Sequence, residues 1–548
     1  MVLILPILLN LLILLNDTDC TEFMKDFNSY FKETGEIGYV QSVISSIFYV
    51  NGLPNARINE LVVTENGMVG IVKAVMPELV EVMIFEGRDI IHDMKVVRTN
   101  EYFQVPVSDS FLGRIIDPFG VSQDHLGLID EKLFEFREVD PAAPGITQRV
   151  RVKRALSTGV MSVDMLFPLG HGQRQLILGD PKTGKTTFAL QSMVNQAKAG
   201  SVCIYVSIGK KKSDTKFAEE YLRAMNVFDK SIIVAASSSD PAPMVYLAPY
   251  AALSIAEHFR DQGRDVLVVL DDMTSHAKYY REISLLARRP PGRQSYPGDI
   301  FHVHARLVER AGNIRLADGK EASITLLPIA ETMEGDLSGY IQTNLMAMTD
   351  GHIFFDVTEL KKGRHPSVSF TLSVSRVGNQ TKSVVERELN FAISTGITQA
   401  RKAEELGRFG VELTPQTMQY IRNSAKIDVI FNQEASVIFP KYFQILILGL
   451  FIVGFWSEGE GRSIEEEIYK LLSLYEAGKL NKFVLSLQSI ENLGQLQALL
   501  KENETYFNTL MNRKVIVNTI GNMPSKTGVQ APPVVPAKSV KVERPQAS

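Results

Sequence analysis

At 548 residues the chain is too long for one hydrophobic core, and ordinary domain sizes divide it into roughly three or four units. Lys and Arg total 58 against 62 Asp and Glu, a formal net charge of −4, so no global basic field draws the protein to a polynucleotide. The two cysteines, Cys20 and Cys203, are too few and too far apart for a disulfide framework or a recognisable metal-ligand spacing, which fits a reducing compartment.

The opening MVLILPILLNLLILLN is strongly apolar. It lacks a basic leading region and an A-x-A-like cleavage site, and it is shorter than the roughly 20 residues that span a bilayer. It is expected to form a docking helix within a segment 1–32; a signal sequence, a membrane anchor and a misassigned start codon are the other readings. Residues 33–105 carry short β-rich runs, EIGYVQSVISSIFYV, INELVVTEN, MVGIVKAVM and LVEVMIFEG, broken by NG and ENG turn signals. That pattern predicts a small all-β barrel. From 106 to 395 apolar strands (LILGD, VCIYVS, VLVVLDD, ITLLPIAE) alternate with amphipathic helices, which predicts a parallel sheet with crossover helices.

Over 396–515 helical periodicity takes over. Thr414 precedes Pro415, and Ser463 with Glu466 makes a capping box ahead of Ile464, Ile468, Leu471, Leu472 and Tyr475, so a helical bundle is expected. The apolar run ILILGLFIVGFW at 445–456 has the length of a buried core helix, not of a membrane span. The tail 516–548 is rich in proline and has no aromatic residue, and it is expected to be disordered. The fold class is therefore multidomain α/β: an N-terminal β-barrel, a central P-loop domain of the RecA-like kind and a C-terminal helical bundle.

The stretch LILGDPKTGKTTFALQ carries the chemistry. Gly179, Gly184, Lys185 and Thr186 fit G-x-x-x-x-G-K-[ST], after an apolar strand and at the start of an amphipathic helix. The glycines let backbone N–H groups wrap phosphates, the helix N-terminus adds positive potential, Lys185 reaches the β- and γ-phosphates, and the Thr186 hydroxyl ligates Mg²⁺. The expected nucleotide contacts are Gly179, Asp180, Lys182, Thr183, Gly184, Lys185, Thr186 and Thr187. The alternative is a plain glycine-rich turn. DVLVVLDDMTSH places Asp271 and Asp272 at the end of a buried strand, where Asp271 is expected to hold the Mg²⁺ shell through water; a solvated turn is the alternative. The expected cofactors are ATP or ADP with Mg²⁺.

Four long motifs in order, GQRQLILGDPKTGKTTFAL, ARRPPGRQSYPGDIFHVHARLVERAG, ITLLPIAETMEGDLSGYIQTNLMAMTDGHIFF and LSVSRVGN, resemble the alpha subunits of F-type ATP synthases. The likeness is continuous from about residue 33 to about residue 410 and weakens through the helical domain. It implies a chain that alternates with beta-type catalytic subunits in a six-membered ring around a gamma-type rotating shaft, and that binds nucleotide without turning it over. In the family's catalytic subunits a glutamate after the strand-end glycine orients the attacking water, and alpha subunits usually carry glutamine. Here YVSIGKKKSD has Lys210 after Gly209, and a lysine near its reference pKa of about 10.4 is no base at neutral pH. A solvated basic turn of Lys210, Lys211 and Lys212 is the local alternative.

By the same resemblance, Arg376 in SVSRVG reaches in trans toward the phosphates of a neighbouring catalytic site; the alternative is a local ion pair. The loop RRPPGRQSYPGD, stiffened by Pro290, Pro291 and Pro297, contributes Tyr296 and Pro297 to the sleeve around the shaft. Three departures bear on the site. Pro181 and Lys182 replace the usual pair after Gly-Asp, with Lys182 a further phosphate contact. His365 stands before Pro366 near the adenine pocket, and Gln433 in NQEAS is what remains of an adenine contact. The implied partners are beta-type subunits, the shaft, a peripheral stalk subunit docked by residues 1–16, and indirectly the membrane ion-translocating sector, with no nucleic acid. The implied location is peripheral, on the cytoplasmic face of a bacterial plasma membrane or an equivalent inner face. The coupling ion, proton or sodium, belongs to the membrane ring. Two other functions compete: an autonomous hexameric motor such as a secretion ATPase or a Rho-like helicase, opposed by Lys210 and the acidic charge, and a degenerate paralogue, opposed by Lys185, Thr186, Asp271 and Arg376.

Overall fold

A short helix, Phe27–Thr34, leads into a closed six-stranded barrel. Asp26 caps the helix by accepting from the Ser29 amide at 3.0 Å, and Tyr30 packs it on Val63 and Val97 of the barrel. The computed structural model describes residues 26–85, 90–408, 414–457, 461–511 and 513; the expected docking helix at 1–16 and the tail 516–548 lie outside the described residues. The barrel strands are β1 (Ile37–Ile44), β2 (Ile47–Asn51), β3 (Glu60–Thr64), β4 (Val69–Val75), β5 (Val80–Ile84) and β6 (Lys95–Tyr102), in the antiparallel order β1-β2-β5-β4-β3-β6. Side-chain alternation sorts their residues. Val40, Phe48, Val50, Val62, Val72, Val82 and Val96 fill the interior, while Ile47, Leu61, Ile71 and Met83 are buried in the core that also holds Val107 and Phe111 of the next domain.

The following strands in chain order are β7 (Gln104–Val107), β8 (Ile115–Ile116), β9 (Glu135–Glu138), β10 (Ala155–Leu156), β11 (Leu169–Gly170), β12 (Leu176–Gly179), β13 (Val202–Lys210), β14 (Ser231–Ser237), β15 (Val266–Asp271), β16 (Gly312–Arg315), β17 (Glu321–Glu331), β18 (Gly351–Phe355) and β19 (Val374–Ser375). β7 with β9 and β10 with β11 form two-stranded ribbons, and the rest make one nine-stranded sheet ordered β19-β18-β12-β17-β15-β13-β14-β8, with β16 beside β17. β16 and β19 run antiparallel to their neighbours; the other pairings are parallel.

Helices cover both faces, which is why these strands read as near-continuous apolar runs. On one face Leu178, Val206, Val268 and Leu270 share a core with the helices Ala242–Asp261, Met273–Leu286 and Ile300–Glu309; on the other, Ile177, Tyr205, Leu267 and Val269 meet Lys185–Lys198 and Lys212–Ala224. Parallel order brings the carboxyl ends of β12, β13 and β15 to one edge of the sheet, where such folds hold ligands.

Past the sheet the chain is helical: Val384–Arg408, Pro415–Phe431, Lys441–Ile452, Gly461–Glu476, Asn481–Gln488 and Leu493–Glu502. The first of these runs through the boundary expected at 395–396, because Gly396 alone does not cost enough to stop a 25-residue helix. Thr414 caps its helix as expected, accepting from the Thr417 amide at 3.2 Å. The helix predicted to follow Ser463 starts two residues earlier, at Gly461, yet its apolar stripe of Ile464, Ile468, Leu471 and Leu472 is buried as the periodicity requires. Lys441–Ile452 is a buried core helix, and no described helix is long and apolar enough to cross a membrane. A separate unit begins at Glu502; its described part is the helix Glu504–Leu510 with its flanking residues.

Lys382, at the entry to the first of these helices, donates to the Met165 carbonyl. Burial pulls its ammonium from the ordinary 10.5 down to about 8, against the pull of Glu386 and Asp164. Between pH 8 and pH 10.5 the unfolded chain therefore holds the extra proton, so stability from this residue rises with pH across that window, by up to about 3 kcal/mol. Lys382→Met is expected to flatten the rise, read as the change in amide protection factors along the helix Val384–Arg408 between pH 7.5 and pH 10 for the two proteins.

Candidate functional site

The phosphate loop hangs between β12 and the helix Lys185–Lys198. Gly179 closes β12 at φ 154° in register with Glu331 and Phe355, and a Cβ there would overlap the Phe355 carbonyl. Gly184 at φ 97° turns the chain into the helix with nothing above it, so the first amides of that helix are open to an anion. The loop holds its own shape. Thr183 donates to the Asp180 carbonyl at 2.7 Å and Ser367 to the Thr183 carbonyl at 2.8 Å. The Asp180 carboxylate accepts from Thr332 at 2.6 Å and from the Gly335 amide at 3.0 Å. Lys185 folds back, its Nζ donating to the carbonyls of Gly179 at 2.8 Å and Asp180 at 2.7 Å. Burial lowers its pKa, while Glu331, Asp271 and Asp272 pull the other way. Lys182 is exposed and left-handed at φ 64°, and Thr187 follows Thr186 on the first helical turn.

Two strands away, Asp271 ends β15 with no exposed surface. Its Oδ2 accepts from Thr186 at 2.7 Å and from Tyr205 at 2.8 Å; its Oδ1 faces the Lys210 ammonium at 2.5 Å. Burial opposes the charged form of Lys210, but the Asp271 carboxylate outweighs it and the pKa is raised. The backbone aims this lysine. β13 pairs regularly with β14 as far as Ile208, then slips at Gly209, φ 64°, where the Tyr279 ring leaves no room for a Cβ; such an irregularity re-aims the next side chain. Asp272 does different work: it caps Met273–Leu286, accepting from the Ser275 amide at 2.6 Å, and burial with the adjacent Asp271 charge pushes its pKa up to about 6.

Tyr205 and Glu331 are site residues that the motifs did not reveal. Tyr205 is the one hydroxyl-bearing ring in the apolar strand VCIYVS, and Glu331 ends the strand ITLLPIAE beside Gly179; a phenol inside a buried apolar strand and an acid at the end of one are the signals that find them.

Mg²⁺ fits poorly here. It demands near-ideal octahedral geometry and keeps several waters, and the carboxylate expected to meet that shell accepts from Thr186 and Tyr205 on Oδ2 and already faces the ammonium of Lys210 with Oδ1.

Pro366 and Gln433 are drawn toward the loop by the backbone. The Gln433 amide donates to the His365 carbonyl at 2.7 Å, and Ser367 reaches Thr183 as described. The Gln433 side chain is buried and occupied: its Nε2 donates to the carbonyls of Gly159 and Val437 at 2.7 and 2.8 Å, and its Oε1 accepts from the Met161 amide at 3.1 Å. Arg376 lies apart from this group, exposed, just past β19 on the sheet edge. Tyr296 turns inward under Arg281, whose guanidinium lies 4.7 Å from its ring centre, and the loop closes by the Gly292 amide donating to the Tyr296 carbonyl at 2.8 Å.

Residues 159–375 match the ATP synthase alpha/beta family, nucleotide-binding domain. ATP synthase subunit alpha of Neorickettsia sennetsu is 40% identical over 437 residues, 78% of this chain and 85% of its own length. That of Pediococcus pentosaceus is 39% identical over 425 residues, 77% and 83%, and that of Carsonella ruddii 35% over 483 residues, 86% and 97%. The chain belongs to the F-type ATP synthase alpha-subunit family. The family's nucleotide-binding domain, residues 159–375, spans the phosphate loop, Lys210, Asp271 and Pro366, while Arg376 and Gln433 lie beyond it.

Within this alpha-type chain the backbone around Arg376 is tightly held. Ser375 Oγ donates to the Pro168 carbonyl at 2.6 Å and accepts from the Gly378 amide at 3.3 Å, and the Arg376 amide donates to the Asp350 carbonyl at 3.0 Å. A Cβ on Gly378 would overlap that same Pro168 carbonyl. Gly378→Ala is therefore expected to lower stability by about 1–3 kcal/mol through forced backbone movement. It should also raise amide exchange in β19; unchanged protection there would remove the steric account.

Proposed function

We propose that this chain is a nucleotide-holding, non-hydrolysing member of a rotary ring, alternating with beta-type catalytic subunits and completing their sites with Arg376. The observation that carries this is Lys210. By resemblance its position is where catalytic subunits place the water-orienting glutamate, and here it holds an ammonium paired with Asp271 at 2.5 Å. An ammonium in that pair cannot accept the proton of an attacking water. The loop amides, Lys185 and Thr186 hold the phosphates, and Lys182 adds a second ammonium to the loop. The pinned, exposed Arg376 suits a role outside its own site, since a guanidinium stays charged and offers fixed donors to phosphate oxygens.

The ring reading extends to the shaft, met by the closed loop around Tyr296 and Pro297, to a peripheral stalk subunit docked by residues 1–16, and through these to a membrane ion-translocating sector. The chain is then peripheral on the cytoplasmic face of a bacterial plasma membrane or its equivalent. The deciding experiment is steady-state MgATP hydrolysis by the purified full chain, with nucleotide occupancy measured in the same sample. Occupancy without turnover is expected. A rate of even about one per second, the low end of ordinary enzymes, overturns the non-hydrolysing assignment.

A further inference from the structure

We propose that Lys210 is a resident cation standing in for Mg²⁺, so that this chain binds ATP or ADP without a divalent metal. The proposal rests on the nucleotide-binding reading above and adds the ionic form of the ligand: the free nucleotide, not its metal complex.

The argument starts from Asp271. The carboxylate is wholly buried, and each oxygen has a partner within the chain: Thr186 and Tyr205 on Oδ2, Lys210 on Oδ1. A divalent ion held against Asp271 would stand beside an ammonium already 2.5 Å from that carboxylate. In a poorly solvated site, repulsion at such separations stays strong even at an effective dielectric of about 20.

Lys210 is also suited to the task it displaces. An ammonium is a compact charge with three donors, so it can keep Asp271 with one and offer the others to phosphate oxygens. It stands one carboxylate away from the loop, since Asp271 meets Lys210 through Oδ1 and Thr186 through Oδ2. The backbone slip at Gly209 and the Tyr279 ring packed over it fix where this charge sits. Lys182, Lys185 and the open helix N-terminus add positive potential for a polyphosphate, and Lys210 offsets the Asp271 carboxylate that would otherwise oppose it.

The test is calorimetric titration of the purified full chain with ATP, in excess Mg²⁺ and in EDTA. For the native protein the apparent affinity is expected to be highest in EDTA and to fall on the order of tenfold or more in excess Mg²⁺, because the metal ties up the free nucleotide that the site takes; equal affinity in the two buffers overturns the inference. Lys210→Arg, which keeps the charge, should behave alike. Lys210→Gln should lose on the order of tenfold to a hundredfold in EDTA, the scale of one close charge contact, and recover when Mg²⁺ is added. Should Lys210→Gln fail to fold, the native protein alone decides: with Mn²⁺ and ATP together, water-proton relaxation should show no metal held with the nucleotide on the chain. Binding that requires Mg²⁺ in the native protein, or one Mn²⁺ held per bound nucleotide, overturns this inference and leaves the nucleotide-binding reading standing. Absence of ATP binding in both buffers overturns that reading itself, and this inference with it.

Discussion

Arg376→Ala, introduced into this chain and reassembled with beta-type subunits, is expected to lower hydrolysis by the ring on the order of 10³–10⁵-fold, the range for arginines that act across an interface on a transferring phosphoryl group. Nucleotide binding to the isolated chain should not change, because Arg376 lies on the sheet edge past β19 and its side chain makes no ion pair among the described residues. Lys in its place should recover little, since a single ammonium lacks the fixed fork of donors. The discriminating pair of measurements is ring turnover and isolated-chain affinity on the same preparation. A ring that hydrolyses ATP at the native rate removes Arg376 from the chemistry, and a parallel loss of binding makes it a structural residue instead.

Asp271→Ala is expected to be among the most damaging single changes within the domain. It strands the Lys210 ammonium and removes the acceptor of both Thr186 and Tyr205, and breaking a buried pair by taking one partner costs about 3–5 kcal/mol. Replacing both members is milder, because no uncompensated charge is left: Asp271→Ala with Lys210→Met should regain more than half of the loss. Unfolding of a chain with several domains is not two-state, so the readout is amide exchange along β15 and β13, which reports the local stability of the sheet. Equal protection in the single and double variants would mean that the pair contributes no more than its separate parts.

Much of the architecture was legible because it is written in short-range patterns. The phosphate loop is contiguous, its glycines are required by local backbone angles at Gly179 and Gly184, and its helix follows directly. The barrel shows in its short β-rich runs broken by NG and ENG turn signals, and the parallel sheet in its doubly buried strands. Boundaries were harder. The helix Val384–Arg408 passes through the place where a domain change was expected, since one weak helix residue does not interrupt a periodic stretch held by tertiary packing.

Asp271 and Asp272 are adjacent in sequence yet do unrelated work, one neutralising Lys210 and the other capping a helix, and no spacing rule separates them. Likewise Gln433 reads as a pocket residue, and the structure has its whole amide engaged by Gly159, Val437 and Met161. What the sequence by itself determined is the class of ligand and the succession of domains, because phosphate binding and secondary structure depend on residues a few positions apart. Only the tertiary structure decided which charge neutralises which. The meeting of Lys210 with Asp271 depends on the register of β13 beside β15 and on the slip at Gly209, and register is a property of strand pairing across the sheet, not of any one strand.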